Sequence, residues 1–334
     1  MNKLNKLLCA VALASVGSVA NAGYFQLNVG NNGYDVEAPA NCAEYAQGNV
    51  GLEGYCNSVS PTKQKELFDL VTTTNGNGDL DSQTGSFTEF GFSQLLGTSI
   101  YDFSNGSIFG DFYDTNIASL LNGAGVTDGV SGPSLDNSAT VTLNHPMSAQ
   151  TDLDALSPLA PPLNGTDNEG FLATWELDTQ FLFEGTLTPT GPVYTGGFFE
   201  VWFKDLDNAA NNFLGFKGEV TGSNLQDANL DIFLTVTEAT EGFLFSGLSE
   251  NGTFKDVHDI IAETGGYRMA IDTNVNPPIP TADTLLLVND GNNNISAVRQ
   301  STLDGSVKAV SEPSTLAVLG LGLLAFGASR RRKA

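Results

Sequence analysis

Residues 171–187, "FLATWELDTQFLFEGTL", decide the fold class. The odd positions read Phe171, Ala173, Trp175, Leu177, Thr179, Phe181, Phe183, Gly185 and Leu187, while the positions between them include Glu176, Asp178, Gln180 and Glu184. Successive side chains of a strand point to opposite faces, so this period of two predicts a half-buried β-strand with one apolar and one charged face. Its length predicts a bend or a long hairpin arm.

The same alternation recurs on both sides of later turns. Phe199, Val201 and Phe203 share a face in "FFEVWFKD", as do Leu230, Ile232, Leu234 and Val236 in "LDIFLTVT". "GFLFSGLSENGTFKDV" (242–257) reads as two strands joined around Asn251-Gly252, and "TLLLVNDGNNNISAV" (284–298) as two more around Asp290-Gly291. Asn-Gly steps also stand at Asn32, Asn75, Asn77, Asn105, Asn122 and Asn164, and such steps favour tight turns that need positive φ. Short strands separated by Gly/Asn turns predict an all-β fold, mainly antiparallel and sandwich- or jelly-roll-like. One or two short helices are expected within it. Ser60 and Pro61 suit a helix start, with Leu67, Leu70 and Val71 on one face. A second short helix is expected over Asp256–Glu263.

The proline-rich stretch 157–168, "SPLAPPLNGTDN", reads as a linker between a Gly/Asn-rich region (23–156) and a more regular β-region (169–310). No repeat of fixed period is present, which argues against solenoids and propellers.

Both ends differ from this body. Lys3 and Lys6 precede an apolar run from Leu7 to Ala20, and Ala20-Asn21-Ala22 places small residues at the key positions of a cleavage site. That order predicts a signal peptide over 1–22, removed after Ala22. At the other end, residues 316–328 carry no charge and are followed by Arg330, Arg331, Arg332 and Lys333. As a helix this stub would reach roughly 20 Å, short of a hydrocarbon core of about 30 Å. It suits transient insertion in the inner membrane with its cations on the cytoplasmic side.

The net charge is −24. Six of the 14 Lys and Arg lie in the two ends, which leaves eight against 38 Asp and Glu, a charge near −30. A body of that sign is repelled by nucleic acid and by anionic membrane surfaces, so no nucleic-acid partner is expected. Solubility alone is the plain reading of such acidity; cation binding is the other.

Ser311, Glu312 and Pro313, the Ser314-Thr315 step, the Leu/Gly-rich stub and the Arg-rich end together resemble the PEP-CTERM sorting signal. Ser311 stands where that motif usually has its first proline. The resemblance covers about residues 311–334. It implies a Gram-negative bacterium that makes exopolysaccharide, recognition by a membrane-embedded exosortase, cleavage near Ser311–Pro313, and delivery to the cell surface or extracellular matrix. It further implies a non-enzymatic structural or adhesive role in exopolysaccharide, biofilm or floc. A lectin-like carbohydrate-binding module is the alternative, and a secreted glycoside hydrolase a more distant one.

Candidate sites in the body are few. Cys42 and Cys56, with 13 residues between them, are expected to pair in an exported chain. Closing such a loop contributes about 3 kcal/mol in the chain-entropy description. Asn75, Asn77, Asp79 and Asp81 alternate, so their oxygens could converge on Ca²⁺, although the spacing is not that of an EF-hand; a solvated polar turn is the competing reading. Asp205, Asp207, Asn208 and Asn211 form a similar cluster after a strand, and "VNDGNNN" a weaker one. His145 and His258 lack a nucleophile elbow or a His-Glu-x-x-His pair, and no catalytic residues are expected. Glu176, Asp178 and Glu200 are the carboxylates from which a glycosidase pair would be drawn. Trp202 lies off the Phe199/Val201/Phe203 face, and is the residue expected to offer an exposed ring for ligand stacking.

Overall fold

The computed structural model describes residues 23–29, 88–143, 152–153, 155–157, 175–248, 253–275 and 277–310. Residues 23–309 form one compact unit. The expected signal peptide (1–22), the helix expected after Ser60, Cys42 and Cys56, the Asn75–Asp81 cluster, His145 and residues 311–334 lie outside the described residues.

In chain order the elements are β1 (Tyr24–Leu27), β2 (Glu89–Asp102), β3 (Gly110–Thr115), α1 (Ala118–Gly123), β4 (Val130–Pro133), β5 (Thr140–Leu143), β6 (Asp152–Leu153), β7 (Ala155–Ser157), β8 (Trp175–Thr188), β9 (Gly191–Asp205), β10 (Phe213–Gln226), β11 (Asn229–Ala239), β12 (Leu244–Gly247), β13 (Lys255–Asp256), α2 (Val257–Thr264), β14 (Tyr267–Asn274), β15 (Leu286–Asn289) and β16 (Ile295–Ala309). The fold is all-β and antiparallel with two short helices among the described residues. No described helix is long and apolar enough to cross a membrane.

The main sheet has eleven strands. It closes on itself. Each neighbour in the ring β2–β3–β8–β9–β10–β11–β14–β16 is hydrogen-bonded to the next, and β16 returns to β2 along nearly its whole length, from Ser296↔Asp102 to Lys308↔Glu89. Two facing sheets would have left edges at these strands; closure removes them. Strands from before and after the 157–168 stretch share the ring, since β2 and β3 pair with β16 and β8.

The period-two stretches form the wall, with the faces their sequences predict. Trp175, Leu177, Thr179, Phe181, Phe183 and Leu187 of β8 are buried, as are Phe199, Val201 and Phe203 of β9 and Leu230, Ile232, Leu234 and Val236 of β11. The outward positions carry charge: Lys204 pairs with Asp178 (3.4 Å), Lys217 with Glu200 (2.9 Å), and Lys308 with Asp272 and Asp231. An apolar inside and a charged outside is the reverse of a barrel that faces lipid.

One end of the barrel is filled. There Trp175 stacks on Phe203, which meets Phe213 and Phe243 at centroid distances of 5.0 and 5.9 Å. Phe25 and Leu27 of β1, Leu244 of β12 and Val257 of α2 belong to the same core. β1, β12 and β13 form a three-stranded sheet, so "GFLFSGLSENGTFKDV" supplies the expected strand pair, β12 with β13. α2 lies where a helix was expected; the Asp256 carboxylate caps it by accepting from the His258 N–H, and Gly265 ends it in the left-handed region.

α1 was not foreseen. Its Asn122-Gly123 step reads as a turn, yet the chain is helical there. The reason is tertiary: Leu121 is fully buried in a second apolar cluster with Ile100, Val126, Leu143, Leu286, Val288 and Val298 on the outer side of β2 and β16. β15 and β16 are the hairpin expected from residues 284–298, with Asn289 opposite Ile295.

Candidate functional site

At the barrel end away from Trp175, inward positions turn polar. Asp114 of β3 lies opposite Ser99 of β2 and Phe183 of β8, and Arg299 of β16 also lies opposite Ser99. Tyr101 is inward two residues along β2, and Tyr194 reaches in from β9. Tyr194 donates its hydroxyl hydrogen bond to Asp114 Oδ2. Asp114 Oδ1 is buried with no hydrogen-bond partner. Phe112 is sandwiched between the two tyrosines, 5.4 Å from Tyr101 and 5.3 Å from Tyr194. These groups line a cavity of about 620 Å³. Arg299 Nη1 donates to the Pro277 carbonyl (3.2 Å), which ties the chain after β14 across the mouth.

Burial raises the Asp114 carboxyl above its ordinary range; the Ser99 and Tyr194 hydroxyls and the Arg299 charge pull in the other direction. Tyr101 is pushed up to about 12, first by burial and then by the neighbouring Asp114. Tyr194 rises well above its ordinary value for the same two reasons. A phenol whose folded value exceeds its unfolded one stabilises the fold below the unfolded value and loses that contribution as pH climbs through the folded one. The melting temperature is therefore expected to hold below pH 10 and to fall between pH 10 and about 12, together with the appearance of tyrosinate absorbance. Tyr101→Phe should shrink that fall. Tyrosinate appearing in full at the ordinary value, with no change in melting temperature, would contradict the buried placement.

A second cavity of about 660 Å³ lies on the outer side of β2 and β3, lined by Asp102, Asp111, Glu184 and Asp290 among others. Asp102 and Asp290 are held below the usual carboxylate range by hydrogen bonds from their own turns: the Ser104 hydroxyl and then its N–H for Asp102, the Asn292 N–H and then the Asn294 amide for Asp290. Among the described residues no group of three or more His, Cys, Asp and Glu stands together as a metal site.

Of the residues singled out in the sequence, Asp178, Glu200 and Trp202 stand together on the outer wall, with Trp202 opposite Asp178 in the β8–β9 ladder, and Asp205 and His258 do not join them. Trp202 is half-buried on the outer wall; its indole N–H donates to Glu200 Oε2 (3.1 Å), and Lys204 Nζ lies 5.8 Å from its ring centre. Asp205 is buried and builds its own loop, accepting from the N–H groups of Asp207 and Asn208 and from the Asn211 amide. His258 Nδ1 lies 3.0 Å from the Ala239 carbonyl, which, ahead of Glu241, Asp256 and Asp259, raises the imidazole above its ordinary value. Asp178 and Glu200 face outward against lysines. The Asp114–Tyr101–Tyr194–Arg299 group escapes sequence reading because its members come from four strands, of which only β2 and β3 are close in the chain. One signal was present: Asp114 alternates with Phe112 in "FYDT", which puts a carboxylate on an inward face.

Residues 309–333 match the PEP-CTERM protein-sorting motif. Comparison with curated proteins and with solved structures finds no match.

Proposed function

We propose that this chain, an exported protein whose PEP-CTERM motif is the recognition signal of an exosortase, serves at the cell surface or beyond it as a non-enzymatic structural or adhesive component of exopolysaccharide, biofilm or floc. The sorting motif is the observation that carries the reading. Two features of the body support it. A closed ring leaves the eight wall strands without free edges, which protects a protein held at high local concentration from edge-to-edge pairing. The described lysines Lys204, Lys217, Lys255 and Lys308 are all engaged by carboxylates, so the surface that remains is anionic and well hydrated. In this reading residues 316–328 enter the inner membrane only until the exosortase cuts.

Intact-mass analysis of the protein from the surface fraction tests the route. The expected molecule begins at Gly23 and lacks Arg330–Lys333; a surface form that keeps those arginines overturns it. Deleting residues 316–334 is expected to move the protein into soluble fractions, and cells carrying only that truncation should aggregate less than wild type. Unchanged aggregation would remove the adhesive role while leaving the sorting intact.

A further inference from the structure

An eight-stranded barrel has room for packed side chains or for one small ligand, and this one is divided between the two. Trp175, Phe181, Phe203 and Phe216 fill one end, whereas the other holds the cavity of about 620 Å³. That volume falls within the roughly 300–1,000 Å³ of small-molecule sites.

The lining specifies a chemistry. Asp114 presents a buried oxygen, Oδ1, that no protein group hydrogen-bonds in good geometry, the Ser99 hydroxyl beside the carboxyl lowering its pKa without completing such a bond. Buried polar atoms are nearly always hydrogen-bonded, so such an atom calls for a donor from outside the protein. On the next strand but one, Arg299 spends one N–H on Pro277 and keeps further donors in its fork. An acceptor and a donor on one wall suit a hydroxyl-bearing ligand, because a hydroxyl both gives and takes a hydrogen bond. Phe112, Tyr101 and Tyr194 supply the flat apolar surface beside them.

Charged ligands fit less well. An anion meets Asp114 and a protein of net charge −24. An organic cation meets Arg299. Ca²⁺ takes six to eight oxygens, and the mouth offers one carboxylate.

We propose that the barrel mouth binds a neutral, hydroxyl-rich ligand, a sugar ring or similar polyol, between Asp114 and Arg299 with the Tyr101–Phe112–Tyr194 aromatics as its wall. The site is read from the cavity alone and does not depend on the surface role proposed above. It is also separate from Trp202, which stands on the outer wall.

Titration of the full chain with methyl α-glucoside, methyl α-mannoside and methyl β-galactoside, followed by saturation-transfer NMR, tests it. Glucuronate and glucosamine serve as the charged counterparts. At least one neutral glycoside is expected to bind saturably and better than either charged sugar. Asp114→Asn is expected to weaken that binding tenfold or more. Its melting temperature should stay near that of wild type, since the Asn amide oxygen can still accept from the Tyr194 hydroxyl. Thr142 is an exposed lining position, so Thr142→Trp should block the mouth without touching the core and provides a second reading if Asp114→Asn fails to fold. Trp202→Ala should bind as wild type. Absence of any glycoside binding, binding that survives both mouth variants, or binding lost only in Trp202→Ala would each overturn the proposal, as would preference for glucosamine or glucuronate.

Discussion

Gly305→Ala is expected to destabilise the barrel by roughly 4 kcal/mol or more, at the far end of single-substitution effects. A Cβ at Gly305 would stand 2.0 Å from the Asp272 carbonyl oxygen and 3.0 Å from its carbon. These are backbone atoms of the neighbouring strand, so no rotamer change relieves the contact. Gly305 lies where β16 shifts register against β2, between the Leu303 and Gly305 pairings, and it pairs with Thr273 of β14. Glycine at such a point lets a strand bend sharply enough to close a barrel. To admit a methyl group, β14 and β16 must separate, and the ring opens at its closing strand. Gly197→Ala should behave alike. Its φ is +102°, and a Cβ there would meet the Leu182 oxygen at 2.0 Å. Gly291→Ala is the control: φ is +84° with nothing within 4 Å, so only the conformational cost of about 1–2 kcal/mol applies. Urea unfolding of the three variants decides the matter. If Gly305→Ala is no worse than Gly291→Ala, the close approach of β14 and β16 is wrong.

Trp175→Ala is expected to cost about 3–5 kcal/mol, the range for truncating a buried Trp or Phe. Trp175 is fully buried and stacks on Phe203 at 5.9 Å, and Phe203 in turn supports Phe213 and Phe243, so the hole opens in the middle of the filled end. At roughly 2–4 °C per kcal/mol for a domain of this order, the melting temperature should drop by about 10 °C. Trp202→Ala provides the contrast. That ring is half-buried on the outer wall, with Glu200 and Lys204 as polar partners, and its removal should cost about 1 kcal/mol or less. Similar losses in calorimetry for the two tryptophans would sink the assignment of inward and outward faces.

The two tryptophans also show how much of the structure was legible. Trp175 belongs to a clean alternation whose inward phase runs unbroken to Leu187, even past the irregularity opposite Gly185. Trp202 belongs to the opposite phase of the next strand. Both placements follow from period two, which is a property of each strand taken alone. The capped α2 and the β15–β16 hairpin were readable for the same reason: the cap, the Gly stop and the Asp-Gly turn sit within a few residues of the elements they end. α1 was not readable, because six residues with an Asn-Gly step carry little helical signal of their own, and burial of Leu121 against Ile100 and Val298 outweighs it.

By itself, the chain's order of residues determined the strands β8, β9 and β11 with their inward faces, the turns of the later hairpins, and the sorting motif near its end, since each is encoded over short stretches. Tertiary structure alone decided that β16 returns to β2 and that Asp114, Tyr101, Tyr194 and Arg299 meet at one mouth. Those pairings join residues up to about two hundred positions apart. Their register depends on where the barrel's glycines let strands bend and on which apolar faces must be covered together, and neither condition exists until the sheet has closed.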